Sequence, residues 1–143
     1  VIQTNLVSAF LMLKLVGKSM LRNGTGRMVF TSSVAGSYGL TNHEAISAAK
    51  GGLEAMVRSA ASTYAQRGIR VNAVAPGLTE TRLGASVLRS DAIREASVGM
   101  IPLKRINEPN EVAQSMFWLL TNAPDNITGQ IIHLDGGMSN IRG

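Results

Sequence analysis

Three side chains with useful chemistry fall between Gly26 and Gly52. Ser33 follows a short apolar run, Met28 to Phe30, that reads as a buried strand turning polar at Thr31-Ser32-Ser33. Lys50 lies in the early turns of the segment read as the next helix, and His43 lies at its start. In open α/β sheets ligands bind outside the carboxyl ends of parallel strands, so a serine there and a lysine on the following helix can face one ligand. A serine hydroxyl can hydrogen-bond a substrate oxygen, and an imidazole exchanges protons near neutral pH. Lysine brings a donor and a positive charge.

The elements that must hold these groups are readable. Glycines 36 and 39 mark a loop, and Thr41-x-x-Glu44 reads as a capping box opening a helix that runs to about Arg67. In that helix His43, Ile46 and Lys50 recur at spacings of three and four, on one face. Leu53, Met56, Val57, Ala60, Ala61 and Tyr64 continue its apolar stripe, and Gly68 ends it. Gly51-Gly52 inside a helix costs roughly 1 kcal/mol per residue against alanine, which implies close approach of another helix or of a ligand. Upstream, residues 2–22 form a helix apolar on most faces, with Asn5 near its start. Strands are expected at 27–32, 69–75 and 130–134, in that spatial order in one parallel sheet. Pro76-Gly77 closes the second strand. Residues 82–101 read as a short helical lid in which Leu83, Val87, Leu88 and Ile93 make a partly apolar pocket. Pro109 stands in the first turn of a last helix, and His133 reads as a structural histidine within the third strand.

Composition narrows the function. The 143 residues suit one domain, residues 1–143, and 45% of them are apolar. The net charge is +5, but the arginines are scattered, so no nucleic-acid interface is expected. There is no cysteine, which excludes disulfides and thiolate chemistry, and two histidines without paired carboxylates argue against a catalytic metal. No signal peptide is visible, and the unbroken apolar run Ala9 to Leu13 is far too short to cross a membrane. The chain starts inside a helical pattern, as a piece that lacks its beginning would.

The order and spacing of these features resemble the carboxyl-terminal half of the short-chain dehydrogenase/reductase family, most of all its 3-oxoacyl-carrier-protein reductase branch. The resemblance rests on Asn5-Leu-Val-Ser-Ala-Phe, on Ser33, on Lys50, on Asn72-Ala-Val-Ala-Pro-Gly-Leu-Thr-Glu-Thr and on Asp135-Gly-Gly. It implies a partial Rossmann-type, doubly wound parallel sheet and hydride transfer between NAD or NADP and a small carbonyl or alcohol, in the cytoplasm. It implies that Asn5 holds a proton-relay water, that Ser33 binds the substrate oxygen and that Lys50 binds the nicotinamide ribose. Pro76, Gly77, Thr79 and Thr81 would line the nicotinamide pocket. The family associates through a helix pair matching 2–22 and 41–67, which implies a homo-oligomer.

Two departures matter. The family signature puts a tyrosine thirteen residues after the serine and four before the lysine, and that position is Ile46, which cannot exchange a proton. The glycine-rich loop that holds the cofactor phosphates is absent from this chain. His43 is the candidate substitute acid, with Tyr38 behind it. Two functions remain open: an oxidoreductase with an altered proton donor, and a non-catalytic relative that binds or oligomerises. Binding of an acidic carrier rests on the basic charge alone.

Overall fold

The computed structural model describes residues 1–142, apart from the side chains of Ser86 and Val87, so the lid expectation for Val87 lies outside the described residues. Three parallel strands, β1 (Gly26–Thr31), β2 (Ile69–Pro76) and β3 (Ile131–Leu134), form one sheet in the order β1-β2-β3. Five α-helices connect and flank them: α1 (Ser8–Asn23), α2 (Glu44–Tyr64), α3 (Arg82–Val87), α4 (Asp91–Gly99) and α5 (Pro109–Thr121). The expected strands, their order and their direction are those found.

β2 is the central strand because both its faces are covered, one carrying apolar side chains and the other Val74 with the buried, hydrogen-bonded Asn72. Ile69, Val71, Ala73, Val74 and Ala75 are all fully buried. On one face Ile69, Val71 and Ala73 pack with Leu13 of α1 and with Leu53, Val57, Ala60 and Ala61 of α2. On the other, Val74 packs with Leu119 of α5 and Ala123. The alternation of side chains along the strand separates the two clusters. Arg27 fastens α5 to the sheet from the far end of β1. Its guanidinium donates to the Ala123 carbonyl at 2.7 Å, at the end of α5, and pairs with Asp125 at 2.7 Å.

Four expectations need correction. Thr41 does not cap α2. Asn42 has φ 61°, a left-handed turn, so the helix cannot run on from Thr41; it starts at Glu44 with His43 as its N-cap. The helix at 2–22 is not regular, because Gln3–Val7 is a π-turn in which the Ser8 N–H reaches back to the Gln3 carbonyl. Leu83 and Ile93, expected in an apolar pocket, are exposed on the surface. Finally, by length and composition the stretch Gln3–Asn23 is apolar enough to cross a membrane, which the short unbroken run had hidden. In the fold its Leu13 and Gly17 are buried against the domain.

The close approaches at Gly51 and Gly52 are made by protein. A Cβ on Gly51 would stand 3.2 Å from the Gly36 carbonyl oxygen, and one on Gly52 would stand 3.0 Å from Leu6. The expected pairing of the first two helices is therefore present: Leu6 seats on Gly52, and the Tyr64 ring covers Gly17.

β1 pairs with β2 on one side only. An open groove lined by Ala9, Met12, Val16 and Met20 of α1 runs along its other edge. Unpaired backbone on such an edge recruits other chains. This chain on its own is expected to scatter light as an assembly larger than one copy, and a monodisperse monomer at high concentration would contradict that.

Candidate active site

The carboxyl ends of all three strands meet because parallel pairing aligns them. Thr31 pairs with Val74, Ala75 with His133, and Pro76 with Leu134. The Ser32 N–H donates to the Val74 carbonyl at 2.7 Å, which carries the ladder one residue past β1. Ser33 then stands just outside the sheet in extended conformation. Its Oγ accepts from the Ala35 N–H at 3.2 Å and caps a single 3₁₀ turn, Val34–Gly36. As an acceptor there, the hydroxyl keeps its proton to donate.

Lys50 reaches this same end. Its Nζ donates to the Thr31 carbonyl at 2.7 Å, two residues before Ser33. Burial pushes the Lys50 amine below its ordinary value of 10.5. Ile46, one turn earlier on α2, is half-buried and apolar. The π-turn that carries Asn5 runs beside this part of α2, as the Leu6–Gly52 packing requires. Asn5 gives its side-chain Nδ2 to the Val1 carbonyl at 3.1 Å.

The loop after β2 is held by protein contacts. A Cβ on Gly77 would stand 3.0 Å from Asp135 Cα, and the Gly77 N–H donates to the Leu134 carbonyl at 2.8 Å. The glycine therefore serves strand packing. Thr79 Oγ1 donates to the Gly77 carbonyl at 3.0 Å, and Thr81 caps α3 by accepting from the Gly84 N–H at 3.0 Å. The Asn107 side chain donates to the Leu134 carbonyl, and its backbone exchanges hydrogen bonds with Leu78 and Glu80, which pins this loop to β3.

The structure thus brings Ser33, Lys50, Pro76 and Gly77 to one end of the sheet. His43 is apart from them. It is exposed, and its Nδ1 donates to the Thr41 carbonyl at 2.7 Å, which fixes the ring at the start of α2. Seven residues separate it from Lys50, about 10 Å of helix rise. Tyr38 is exposed in the loop between.

Three polar contacts near the site were not foreseen. Ser32 Oγ donates to the buried Glu54 carboxylate at 2.7 Å and holds the residue next to Ser33 in place. Glu54 lies four residues beyond Lys50 within an apolar stripe, and a charge in that position was the available signal. His133 Nε2 and Ser37 Oγ are 2.8 Å apart, so the histidine ties the loop after Ser33 to β3 across β2. Asp135 accepts from the N–H groups of Gly137 and Ser139 and from the Ser139 hydroxyl, in the turn Asp135-Gly-Gly-Met-Ser139.

The family model described as enoyl-(acyl carrier protein) reductase matches residues 1–139. The chain belongs to the short-chain dehydrogenase/reductase family. It is 44% identical over 138 residues to carbonyl reductase family member 4 of Danio rerio, a match covering 96% of this chain and 55% of that protein. It is 38% identical to the 3-oxoacyl-[acyl-carrier-protein] reductase FabG of Thermotoga maritima, with the same coverage. Among solved structures it matches a short-chain type dehydrogenase/reductase from Mycobacterium ulcerans with TM-score 0.91 and 32% identity, over 97% of this chain and 50% of that one. It matches a gluconate 5-dehydrogenase from Burkholderia cenocepacia, in complex with NADP and tartrate, with TM-score 0.92 and 25% identity, over 96% of this chain and 54% of that one. The chain spans about half the length of the relatives it matches, and the sheet is a partial Rossmann fold.

Asp135 supplies a test of how the strand ends are held. Burial alone would raise its carboxyl, but the hydrogen bonds from Ser139 and Gly137, with His133 nearby, hold it below its ordinary value of 3.8. A depressed carboxyl contributes stability above its unfolded value and loses it as pH falls through the folded one. Asp135→Asn is expected to cost about 2 kcal/mol at pH 6, with the gap to the parent chain narrowing below pH 3.8 in urea unfolding.

Proposed function

We propose that this chain, residues 1–143, is the substrate-side half of an NAD- or NADP-dependent oxidoreductase that interconverts a small carbonyl compound and its alcohol. The observation that carries this reading is the convergence of the Ser33 hydroxyl, the Lys50 amine and the Pro76–Thr81 loop at one end of a parallel sheet. The family membership and the NADP-bound gluconate 5-dehydrogenase neighbour support it. These residues fit the nicotinamide end of such a cofactor: Lys50 offers N–H donors toward a ribose, and Pro76, Gly77, Thr79 and Thr81 form the loop beside it. When bound, the cofactor supplies or accepts the hydride. Ser33 donates its hydroxyl proton to the substrate oxygen as a hydrogen bond and orients the carbonyl. Asn5 belongs beside Lys50 as the holder of a relay water, and the local π-turn supports a special role there, since such turns recur at functional sites.

With Ile46 in the tyrosine position no acid stands beside Ser33; His43, exposed about 10 Å along α2 from Lys50, is the candidate donor and reaches the substrate oxygen only through bridging water. In a full-length protein containing the upstream half, NADH or NADPH should be oxidised with a panel of small ketones. There His43→Ala is expected to cut turnover by roughly 10²-fold or more. Undiminished turnover in that variant would remove His43 from the mechanism.

A second reading, a non-catalytic scaffold, is favoured by two observations: the isoleucine itself and the apolar outer face of α1. Phe10, Leu11, Met12 and Leu15 on that face are more than half exposed. We assign this face, together with α2, to a second copy of the chain. Leu13, buried in the core, is unsuited to testing that contact; Leu15, 69% exposed, is suited. Leu15→Glu is expected to shift size-exclusion elution of the assembled protein toward the single chain, and an unchanged elution volume would count against the contact. A protein silent with every ketone but active after Ile46→Tyr would favour the scaffold reading over a histidine donor.

A further inference from the structure

Two ionisable side chains, Glu54 and His133, reach the turn that Ser33 caps, and neither has a part in the chemistry proposed for the site. Ser33 itself is lightly held. Its Oγ accepts from the Ala35 N–H at 3.2 Å, and Ala35 belongs to the same 3₁₀ turn, Val34–Gly36. The direction of the hydroxyl is therefore only as fixed as that turn. From α2, Glu54 touches the turn at both ends. Its carboxylate accepts from Ser32 Oγ at 2.7 Å, one residue before Ser33, and a Cβ on Gly36 would stand 2.5 Å from Glu54 Oε1. From β3, the half-buried His133 brings its Nε2 within 2.8 Å of the Oγ of Ser37, the residue that ends the turn.

Glu54 is the more telling of the two. It is 4% exposed, within a stripe that Leu53, Val57, Ala60 and Ala61 otherwise fill. A buried carboxylate costs stability unless it is hydrogen-bonded, and an apolar side chain would continue the stripe without that cost. What Glu54 holds, Ser32 and the turn beyond it, accounts for its presence there. Gly36 leaves the space that the carboxylate fills, so a larger residue at that position would push the carboxylate off Ser32. With Ile46 where the family has tyrosine, orientation of the substrate oxygen falls to Ser33.

We propose that Glu54 and His133 are positioning residues for Ser33. Through Ser32, Gly36 and Ser37 they fix the turn, and so the direction in which the serine hydroxyl meets a substrate oxygen. Neither needs to touch the substrate. Loss of either contact leaves the hydroxyl present but misdirected, which lowers turnover of bound substrate more than it weakens binding. That catalytic consequence rests on the oxidoreductase reading; the holding of the turn does not.

Amide hydrogen exchange of this chain, followed by NMR, tests the holding, and steady-state kinetics of the full-length protein test its consequence. Glu54→Leu and His133→Leu are each expected to speed exchange of the Ala35 N–H by about tenfold, while Glu54→Gln and His133→Gln, which keep a polar atom in reach of Ser32 and Ser37, stay near the parent rate. Ser32→Ala and Ser37→Ala remove the other partner of each contact, are expected to match the leucine variants, and stand in for either of those that fails to fold. Arg27→Gln, at the far end of β1, is the control: it loses the Asp125 pair and is expected to lower stability without changing exchange at Ala35. In the full-length protein the leucine variants are expected to lower kcat by about tenfold with KM little changed, and the glutamine variants to keep it. Parent-like exchange at Ala35 in a leucine variant with a native circular dichroism spectrum would overturn the proposal. So would faster exchange that Arg27→Gln reproduces, since lost stability would then account for it, or an unchanged kcat in an active full-length protein. A full-length protein inactive on every ketone would count against the oxidoreductase reading instead, and exchange at Ala35 would still decide whether Glu54 and His133 hold the turn.

Discussion

Everything at the candidate site depends on β2 being paired in parallel on both sides. Parallel pairing puts all three carboxyl ends at one edge, and the register Thr31↔Val74 and Pro76↔Leu134 sets how far each end protrudes. Ser33 is placed by the one extra ladder bond from Ser32 to Val74, and the loop after β2 by the bond from Gly77 to Leu134. β2 can hold this position because both its faces are covered, by α1 and α2 on one side and by α5 on the other, where the buried Asn72 is bonded to Ile127 and Gln130.

The second layer of control is small-residue packing. Gly51 admits the Gly36 carbonyl, and Gly52 admits Leu6. These contacts set α2 close to the 3₁₀ turn after Ser33, close enough for Glu54 to accept from Ser32 and for Lys50 to reach Thr31. A carboxylate buried beside one hydroxyl would be costly if that bond were lost, so the Ser32–Glu54 contact resists displacement of the neighbouring Ser33. The helical cost of two adjacent glycines is offset by the precision they give to this corner.

Much of this was legible in the sequence, because apolar runs ending in polar residues mark buried parallel strands, and a stripe such as Leu53, Val57, Ala60 marks the face that covers them. The start of α2 was not legible: Thr41-x-x-Glu44 has the composition of a capping box, but a single positive φ at Asn42 moves the cap to His43. The π-turn around Asn5 has no compositional mark. Side-chain partners far apart in the sequence, such as Ser37 with His133, escape any reading of local period, because what joins them is the order of strands in space. Gly77 reads in the sequence as the end of the second strand, and what requires a glycine there is the approach of Asp135.

The strand pairing also carries a cost in time. β2 takes one neighbour from more than forty residues before it and the other from more than fifty after it, as Gly26↔Ile69 and Ala73↔Ile131 require. Neither pairing is rewarded until a long loop has closed, and such closures slow the search for the native state. On a ribosome, β1 and α2 would emerge well before the last strand. The Ser33 end of the sheet would therefore be assembled first, and the bond from Gly77 to Leu134 and the tie from His133 to Ser37 would be the last to form.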